Sequence, residues 1–251
     1  MEIEAGGARW IAKHLRRTKK YVQERTAYRD WVPALGAHAP ALHSAHDDVR
    51  LLIVSRLPGV PAEGTPAADD PETHRRAGAL TRLLHEGTPP VEVDFAEELR
   101  LRLDDYVARG RDVLTADEID VARSHAARLA GTPPTAAVPC HLDNEPRNWL
   151  VGPDDDVALI DFGNARRQPW ITDVAPLRQR DWRARPDLAA AFFAGYGREP
   201  DDADRHLADG YVAYLAVSTI VWAHRHDDIP FADEARTWLR ELTAGATQAT
   251  E

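Results

Sequence analysis

The chain has 251 residues, of which 43% are hydrophobic and 29% are charged, and its formal net charge is −10 at pH 7. This length and apolar content suit one large domain or two lobes that share a cleft, and they exclude a disordered chain. The single cysteine excludes an internal disulfide and fits a reducing compartment. The stretch "MEIEAGGARW" lacks the apolar core of a signal peptide. We therefore expect a soluble cytoplasmic protein, either a monomer or a homodimer.

The charge is spread unevenly along the chain. Residues 1–30 hold eight lysines and arginines against four acids, a net charge of +4, so residues 31–251 carry −14. This balance argues against a nucleic-acid partner and favours a cationic ligand. The longest apolar run, residues 211–223, is too short to cross a bilayer and predicts a buried helix, so no membrane partner is expected.

The N-terminal part of the chain predicts two strands and a helix. Residues 8–15 and 49–57 have strand patterns, and a helical period covers residues 18–36. Glu24 lies on the apolar stripe of this helix, where an unpaired carboxylate would cost several kcal/mol. Lys13, on the preceding strand, is an available partner for it.

A segment rich in proline, glycine and alanine, residues 58–72, predicts a linker and a lobe boundary. We expect a small strand-bearing N-terminal lobe at residues 1–57 and a larger, mainly helical lobe at residues 73–251. The fold class is therefore α+β with two lobes.

The larger lobe is predicted to be helical except for one break and one hairpin. Helical patterns cover residues 73–87, 93–130 and most of 173–242, and "GTPPTAAVP" at residues 131–139 predicts a break. The stretches "RNWLV" and "VALIDF" predict two strands around the turn "GPDDD".

The loop before this hairpin holds an unusual set of polar residues. Asp143 precedes the first strand, Asn148 begins it, and Asp161 ends the second, so the hairpin is expected to bring Asn148 and Asp161 together. An amide oxygen and a carboxylate suit Mg²⁺ that is held mainly by substrate phosphates. Asp143 is placed to accept a proton from a hydroxyl, and Lys13, oriented by Glu24, would supply a cation for phosphoryl transfer. A single such aspartate is more often a cap or turn residue, but two motifs 13 residues apart on one hairpin favour chemistry.

The motifs "HLDNEPRNWL" and "LIDFGNA" resemble the catalytic loop and the metal-binding segment of the aminoglycoside phosphotransferase family, which has the protein-kinase-like fold. The resemblance extends loosely from the Lys13 strand to the C-terminal helices. It implies ATP or GTP as the phosphoryl donor and Mg²⁺ as the cofactor. By this resemblance Asp143 is the catalytic base, and Asn148 and Asp161 bind Mg²⁺.

The resemblance also implies roles for residues outside the base and the metal site. Lys13 would contact the α- and β-phosphates of the nucleotide, with Glu24 as its ion-pair partner. His141 and Pro146 would be structural residues of the catalytic loop. The hinge whose backbone meets the adenine would be formed by Ser55, Arg56 and Leu57.

Two departures favour a small-molecule kinase over a protein kinase. Protein kinases carry a lysine two residues after the catalytic aspartate, whereas this chain has Glu145. The segment from residue 163 to 173 is too short for the usual activation loop, and no "APE" follows it. Glu145 would suit an amine-bearing substrate, and Asp227 and Asp228 are further candidate acids for a cationic substrate.

A third departure concerns the N-terminal lobe. Only 12 residues precede Lys13, and "EAGGAR" offers a two-glycine turn. The lobe is therefore expected to be truncated and to lack most of the glycine-rich hairpin that covers the phosphates. Weaker nucleotide binding is the expected consequence, because backbone amides that cradle phosphates would be missing.

These features predict an O-phosphotransferase that uses ATP or GTP and acts on a small, cationic molecule. An aminoglycoside or a basic peptide antibiotic is the leading acceptor, which would make the protein a resistance kinase. The alternatives are a metabolic kinase for choline, an amino alcohol or a sugar, and a non-catalytic pseudokinase that binds nucleotide. Loss of activity in Asp143→Asn with nucleotide binding preserved distinguishes the enzyme from the pseudokinase.

Overall fold

The computed structural model describes residues 1–5 and 7–248 and divides into two compact units. The first unit contains Met1–Val91 and Ala137–Glu199, and the second contains Glu92–Ala136 and Pro200–Glu251. The predicted linker at residues 58–72 lies inside the first unit. The lobe boundaries drawn from the sequence do not coincide with this division and stay a prediction.

The described residues form helices and strands throughout both units. The α-helices are α1 (Thr18–Asp30), α2 (Pro71–Glu86), α3 (Phe95–Arg109), α4 (Ala116–Arg128), α5 (Ala175–Gln179), α6 (Pro186–Tyr196), α7 (Asp202–Arg225) and α8 (Ile229–Gln248). The strands are β1 (Glu2–Ala5), β2 (Ala8–His14), β3 (Leu42–His46), β4 (Leu51–Ser55), β5 (Val60–Pro61), β6 (Val91–Val93), β7 (Thr135–Cys140), β8 (Trp149–Val151), β9 (Val157–Leu159) and β10 (Arg166–Gln168).

A four-stranded antiparallel sheet begins the first unit, in the spatial order β1-β2-β4-β3. The predicted strands at residues 8–15 and 49–57 correspond to β2 and β4, and Lys13 pairs with Leu52 between them. The edge strand β3 was not predicted, because its sequence LHSAH lacks the apolar alternation of a half-buried strand. Gly6, in the predicted two-glycine turn, lies outside the described residues, so the reduced glycine-rich hairpin and the weaker nucleotide binding expected from it stay predictions.

Helix α1 follows β2 and turns one face toward the interior. The residues buried on that face are Tyr21, Glu24, Ala27 and Tyr28. Their spacing of three and four is that of an amphipathic helix. The helical pattern predicted to reach residue 36 ends as an α-helix at Asp30, and a 3-10 segment, Val32–His38, follows. Pro33 has no N–H to continue the α-helical hydrogen bonds.

Helices α2 and α6 approach each other backbone to backbone. A Cβ atom on Gly78 would lie 2.1 Å from the carbonyl oxygen of Phe192, and one on Gly195 would lie 1.8 Å from that of Arg75. Glycine is therefore the residue that this close contact requires. The contact holds in place α2, which carries His85.

The hairpin predicted from the sequence is formed by β8 and β9, with Trp149 opposite Leu159. Strand β5, within the predicted linker, pairs with β8. The predicted break at residues 131–139 is wrong for its second half, because β7 occupies it and pairs with β10. Alanines and Pro139 gave this stretch a weak strand signal.

The second unit contains α3, α4, α7 and α8, as the helical patterns predict. Capping boxes begin two of these helices, Thr115 with Glu118 at α4 and Asp201 with Asp204 at α7. The apolar run at residues 211–223 lies in α7, most of which is buried. Within the part of the chain that the structure describes, no helix combines the length and the apolar character that crossing a bilayer requires.

Candidate active site

The polar loop begins directly after β7, where Asp173 holds its backbone. The carboxylate of Asp173 accepts hydrogen bonds from the backbone N–H groups of His141 (2.7 Å) and Leu142 (2.5 Å). Leu142 has a φ of +58°, a left-handed conformation that leucine rarely adopts. His85 of α2 lies 3.0 Å from the same carboxylate. Asp173 is fully buried, so the start of the loop is fixed from the interior of the unit.

Asp173 keeps its charge despite this burial. Burial would raise the pKa of Asp173, but the hydrogen bond with His85 and the nearby His141 outweigh it and lower the pKa below its usual range. Sequence reasoning missed both Asp173 and His85. The local signal, one aspartate among apolar residues in "WITDVAP", does not name its partners.

Replacing Asp173 with Asn is expected to lower the free energy of unfolding by about 1–3 kcal/mol, because an amide nitrogen would face a buried N–H that then lacks an acceptor. A lowered carboxyl pKa stabilises the fold above the unfolded-state value of about 3.9, and that stability is lost as the pH falls through the folded-state pKa. The parent should therefore lose more stability than Asp173→Asn below about pH 4. Urea denaturation of both proteins from pH 7 to pH 2 measures this.

The matched control for this test is Asp154→Asn, which changes an exposed aspartate in the β8–β9 turn. It is expected to unfold like the parent. Equal stability of Asp173→Asn and the parent at pH 7 would contradict the anchoring role of Asp173.

His141 connects the loop to the segment around Asp161. Its Nε2 atom lies 2.8 Å from the carbonyl oxygen of Ile160, and its ring packs against Phe162 with 4.7 Å between the ring centroids. His141 is fully buried. These contacts support the structural role that the resemblance implies.

Asn144 is a second buried polar residue of the loop, and sequence reasoning missed it. Its Nδ2 donates to Thr81 Oγ1 (2.8 Å), and its Oδ1 accepts from the indole N–H of Trp149 (2.7 Å). Pro146 begins the 3-10 turn Pro146–Asn148. Asn144 therefore ties the loop to α2 and to β8 directly after Asp143.

Asp143 and Asn148 are in direct contact. The Nδ2 atom of Asn148 donates to Asp143 Oδ2 (2.9 Å) and to the Asp143 carbonyl oxygen (2.8 Å). These bonds fix the amide so that its Oδ1 is the atom left to bind a cation. The other carboxylate oxygen of Asp143 accepts a hydrogen bond from Arg147.

The hairpin brings the backbone of the segment that carries Asp161 next to Asn148. The backbone N–H of Ile160 donates to the Asn148 carbonyl oxygen (3.0 Å), and Asp161 follows with a left-handed backbone (φ 64°, ψ 67°). Asp161 Oδ1 accepts from Lys13 Nζ at 2.8 Å. Lys13 also forms the predicted ion pair with Glu24.

Lys13, Glu24 and Asp161 shift the pKa values of one another. Burial would lower the pKa of Lys13, but Tyr28, Glu24 and Asp161 outweigh it and raise the pKa. Burial raises the pKa of Glu24, and Lys13 opposes that effect. Burial would likewise raise the pKa of Asp161, but Lys13 outweighs it and lowers the pKa. Lys13 is therefore an ammonium, and Asp161 a carboxylate, at neutral pH.

The side chains of Asn148 and Asp161 have the chemistry that a divalent cation requires. Asn148 has an amide oxygen, and the side chain of Asp161 is 54% exposed, with Lys13 bound to its Oδ1 atom. Hard oxygen ligands of this kind suit Mg²⁺, which usually keeps water and substrate phosphates in its remaining positions. Magnesium binding by these two residues stays a prediction that the geometry supports.

A cleft of about 320 Å³ in the first unit contains the predicted nucleotide contacts. Its lining includes Lys13, Asp161 and the three predicted hinge residues, Ser55, Arg56 and Leu57. Apolar walls are supplied by Ile11, Val54, Leu150 and Ile160. An apolar slot with a few polar groups is typical of small-molecule sites. The structure thus brings the predicted lysine, metal ligand and hinge into one cavity.

Lys20 of α1 is a further cation that sequence reasoning missed. Its Nζ donates to Asn164 Oδ1 (2.6 Å) and to the Gly163 carbonyl oxygen (3.1 Å), just after Asp161. Burial and the neighbouring Arg166 lower the pKa of Lys20. It holds α1 against the segment that follows Asp161.

Glu145, predicted to meet an amine of the substrate, is occupied by two arginines. Its carboxylate accepts from Arg147 and, at 2.8 Å, from Arg180. The residue is buried, and burial raises the pKa of Glu145 while the two arginines oppose this. Arg180 lies 35 residues beyond Glu145, so no local pattern signals the pair.

Asp227 and Asp228, the other predicted acids, lie in the second unit between α7 and α8. Asp227 has a φ of +57°. Asp228 Oδ1 accepts from the backbone N–H of Phe231 (3.2 Å), which is the contact of a helix cap. Their role in binding substrate stays a prediction.

The family model described as "Phosphotransferase enzyme family" matches residues 2–211, which include both polar motifs. The chain belongs to the phosphotransferase enzyme family. This confirms the predicted family and the predicted class of enzyme, a phosphotransferase with a hydroxyl acceptor. A search of curated protein sequences finds no significant match.

Solved structures of known phosphotransferases share the fold. A thermostable mutant of aminoglycoside phosphotransferase APH(4)-Ia matches with a TM-score of 0.73 and 14% identity, over 98% of this chain and 90% of that one. A choline/ethanolamine kinase family protein from Mesorhizobium loti matches with a TM-score of 0.71 and 20% identity, over 97% of this chain and 83% of that one. The GDP complex of aminoglycoside 2'-phosphotransferase-IIIa matches with a TM-score of 0.68 and 16% identity, over 98% of this chain and 89% of that one. The predicted α+β, protein-kinase-like fold is confirmed.

Proposed function

We propose that this phosphotransferase transfers the γ-phosphoryl group of ATP or GTP to a hydroxyl group of a small cationic molecule, such as an aminoglycoside or a basic peptide antibiotic. The observation that carries the proposal is one hairpin that holds Asn148 against Asp143 and presents Asp161 to Lys13. Phosphoryl transfer needs a residue that positions the nucleophile, oxygen ligands for a metal ion and a cation on the phosphates. Asp143, the pair Asn148 and Asp161, and Lys13 have the side-chain chemistry that these three roles require.

In this mechanism Asp143 accepts the proton of the acceptor hydroxyl as its oxygen attacks the γ-phosphorus. The bond from the γ-phosphorus to the β–γ bridging oxygen breaks, and its electron pair leaves with the nucleoside diphosphate. Lys13, held by Glu24, binds the α- and β-phosphates. Asn148 and Asp161 would hold a magnesium ion, which would supply positive charge to the phosphate oxygens.

The class of acceptor rests on charge. Residues 31–251 carry a net charge of −14, which attracts a cation to the protein. Asp227 and Asp228 stay candidate contacts for such a substrate, whereas we propose that Glu145 acts through its arginine partners. Phosphorylation would add negative charge to a cationic drug and weaken its binding to RNA.

A metabolic kinase for choline or another amino alcohol is the second candidate. The match to the choline/ethanolamine kinase family protein has a TM-score of 0.71, between the values of 0.73 and 0.68 for the two aminoglycoside phosphotransferases. Choline is also a cation, so the charge argument holds for both classes. The acceptor panel must therefore include both.

Calorimetric titration of the full chain with ATP and with GTP, each with and without Mg²⁺, tests the nucleotide part of the proposal. We expect binding of at least one nucleotide that strengthens when Mg²⁺ is present, because Asn148 and Asp161 offer oxygens to a cation bound by the phosphates. Absence of binding for both nucleotides would contradict the proposal. Release of ADP or GDP with a panel of aminoglycosides, basic peptides and choline then identifies the acceptor class.

A further inference from the structure

Arg147 lies between the two acidic side chains of the catalytic loop. One terminal nitrogen of its guanidinium donates to Asp143 Oδ1, and the other donates to Glu145 Oε2. The side chain keeps 39% of its surface exposed, whereas that of Glu145 keeps only 9%. Arg147 is therefore a cation at the open side of the loop, directly on the proposed base.

The position of this guanidinium is set by a buried brace. The Oε2 atom of Glu145 that binds Arg147 also accepts from Arg180, the residue after α5, at 2.8 Å. A buried carboxylate stays charged only when it is paired in this way, and removing one partner is costly. Glu145, which is itself bound by Arg180, thus fixes the orientation of the Arg147 guanidinium.

The catalytic loop has a negative side chain at a position where protein kinases have a positive one. The place two residues after the catalytic aspartate, a lysine in protein kinases, holds Glu145 here. A bare glutamate at that place would repel a transferring phosphoryl group. Arg147, two residues later, returns a positive charge to the carboxylate of Asp143.

We propose that Arg147 binds the transferred phosphoryl group and that Glu145 and Arg180 position it for this. The inference rests on the proposed function. The guanidinium fork matches two phosphoryl oxygens, where negative charge is spread during transfer. As Arg147 shifts to those oxygens, Asp143 Oδ1 is released to accept the proton of the acceptor hydroxyl.

Binding of a transition-state mimic tests this without an identified acceptor. The full chain is titrated with Mg²⁺ and ADP, and again with aluminium fluoride added, which mimics the transferring phosphoryl group. Mg²⁺ and GDP replace them if the chain prefers GTP. The parent is expected to bind the diphosphate more tightly with the fluoride. Arg147→Ala and Arg147→Gln should lose about tenfold or more of that gain while their affinity for the diphosphate alone is unchanged.

Two further variants separate charge from position. Arg147→Lys keeps the charge but lacks the fork, so it should retain part of the gain. Glu145→Gln keeps the Arg147 side chain but weakens the interaction that positions it, so this variant should also lose part of the gain in affinity. Arg75→Ala is the matched control, because Arg75 is an arginine on α2 that pairs with Glu72 at the surface. It should bind both forms like the parent.

The outcomes distinguish this inference from the proposed function. An equal gain from the fluoride in the parent and in both Arg147 variants overturns the inference and leaves the proposed function standing. A loss of affinity for the diphosphate alone that equals the loss with the fluoride shows a structural role only and also overturns it. A parent that binds no nucleotide, or gains nothing from the fluoride, overturns the proposed function itself.

Discussion

Asp143→Asn is expected to lower turnover by about 10²–10⁴-fold, the usual contribution of a positioned acid–base group. The amide keeps the shape of the side chain but does not take a proton from the acceptor hydroxyl. It still offers one oxygen to Asn148 Nδ2, which lies 2.9 Å from the present carboxylate. Affinity for the nucleotide should therefore be preserved. Steady-state turnover with the acceptor that the panel identifies, together with calorimetry of nucleotide binding, measures both effects.

The control for this variant is Asp154→Asn in the exposed turn of the same hairpin, which should retain the turnover of the parent. Turnover of Asp143→Asn within about threefold of the parent would contradict the role of Asp143 as the base. If Asp143→Asn left the function of the protein in cells unchanged, the pseudokinase alternative would be favoured.

Asp161→Ala is expected to abolish the part of nucleotide affinity that depends on Mg²⁺. The change removes the carboxylate that we propose as a metal ligand, and the amide oxygen of Asn148 alone does not hold a divalent cation well. Lys13 keeps Glu24 as a partner in this variant, so its ammonium stays near the cleft. Nucleotide affinity without Mg²⁺ should change little. Titrations of the parent and the variant with and without Mg²⁺ measure the difference.

Asp161→Asn and Asp154→Ala complete this test. The first keeps an oxygen and loses the charge, so it should retain a fraction of the Mg²⁺ effect. The second removes an exposed aspartate from the hairpin turn and should behave like the parent. The assignment of Asp161 to the metal would be refuted by an undiminished response to Mg²⁺ in Asp161→Ala.

The hairpin could be predicted from the sequence because its contacts are local. Asn148 and Asp161 are 13 residues apart, and a turn with aspartates joins two short apolar runs. The ion pair of Lys13 and Glu24 was also readable, because a carboxylate on an apolar helical stripe needs a cation and one strand precedes the helix. The structure shows this pair.

Other elements could not be predicted from the sequence, for physical reasons. Strand β3 has too many polar residues to show an apolar alternation, and half of β7 is alanine and proline. Both strands form because neighbouring strands supply their hydrogen bonds, which is a property of the sheet and not of the segment. The sequence interpretation of Glu145 as a substrate contact likewise lacked its arginine partners.

The sequence by itself determined the family, the order of the helices and the positions of the proposed base and metal ligands, because each of these depends on short-range patterns. Only the tertiary structure decided what holds them. His85 lies 88 residues before Asp173, and Arg180 lies 35 residues after Glu145. Pairs so distant are chosen by the packing of whole helices around the loop, because a buried charge persists only where the fold delivers its partner.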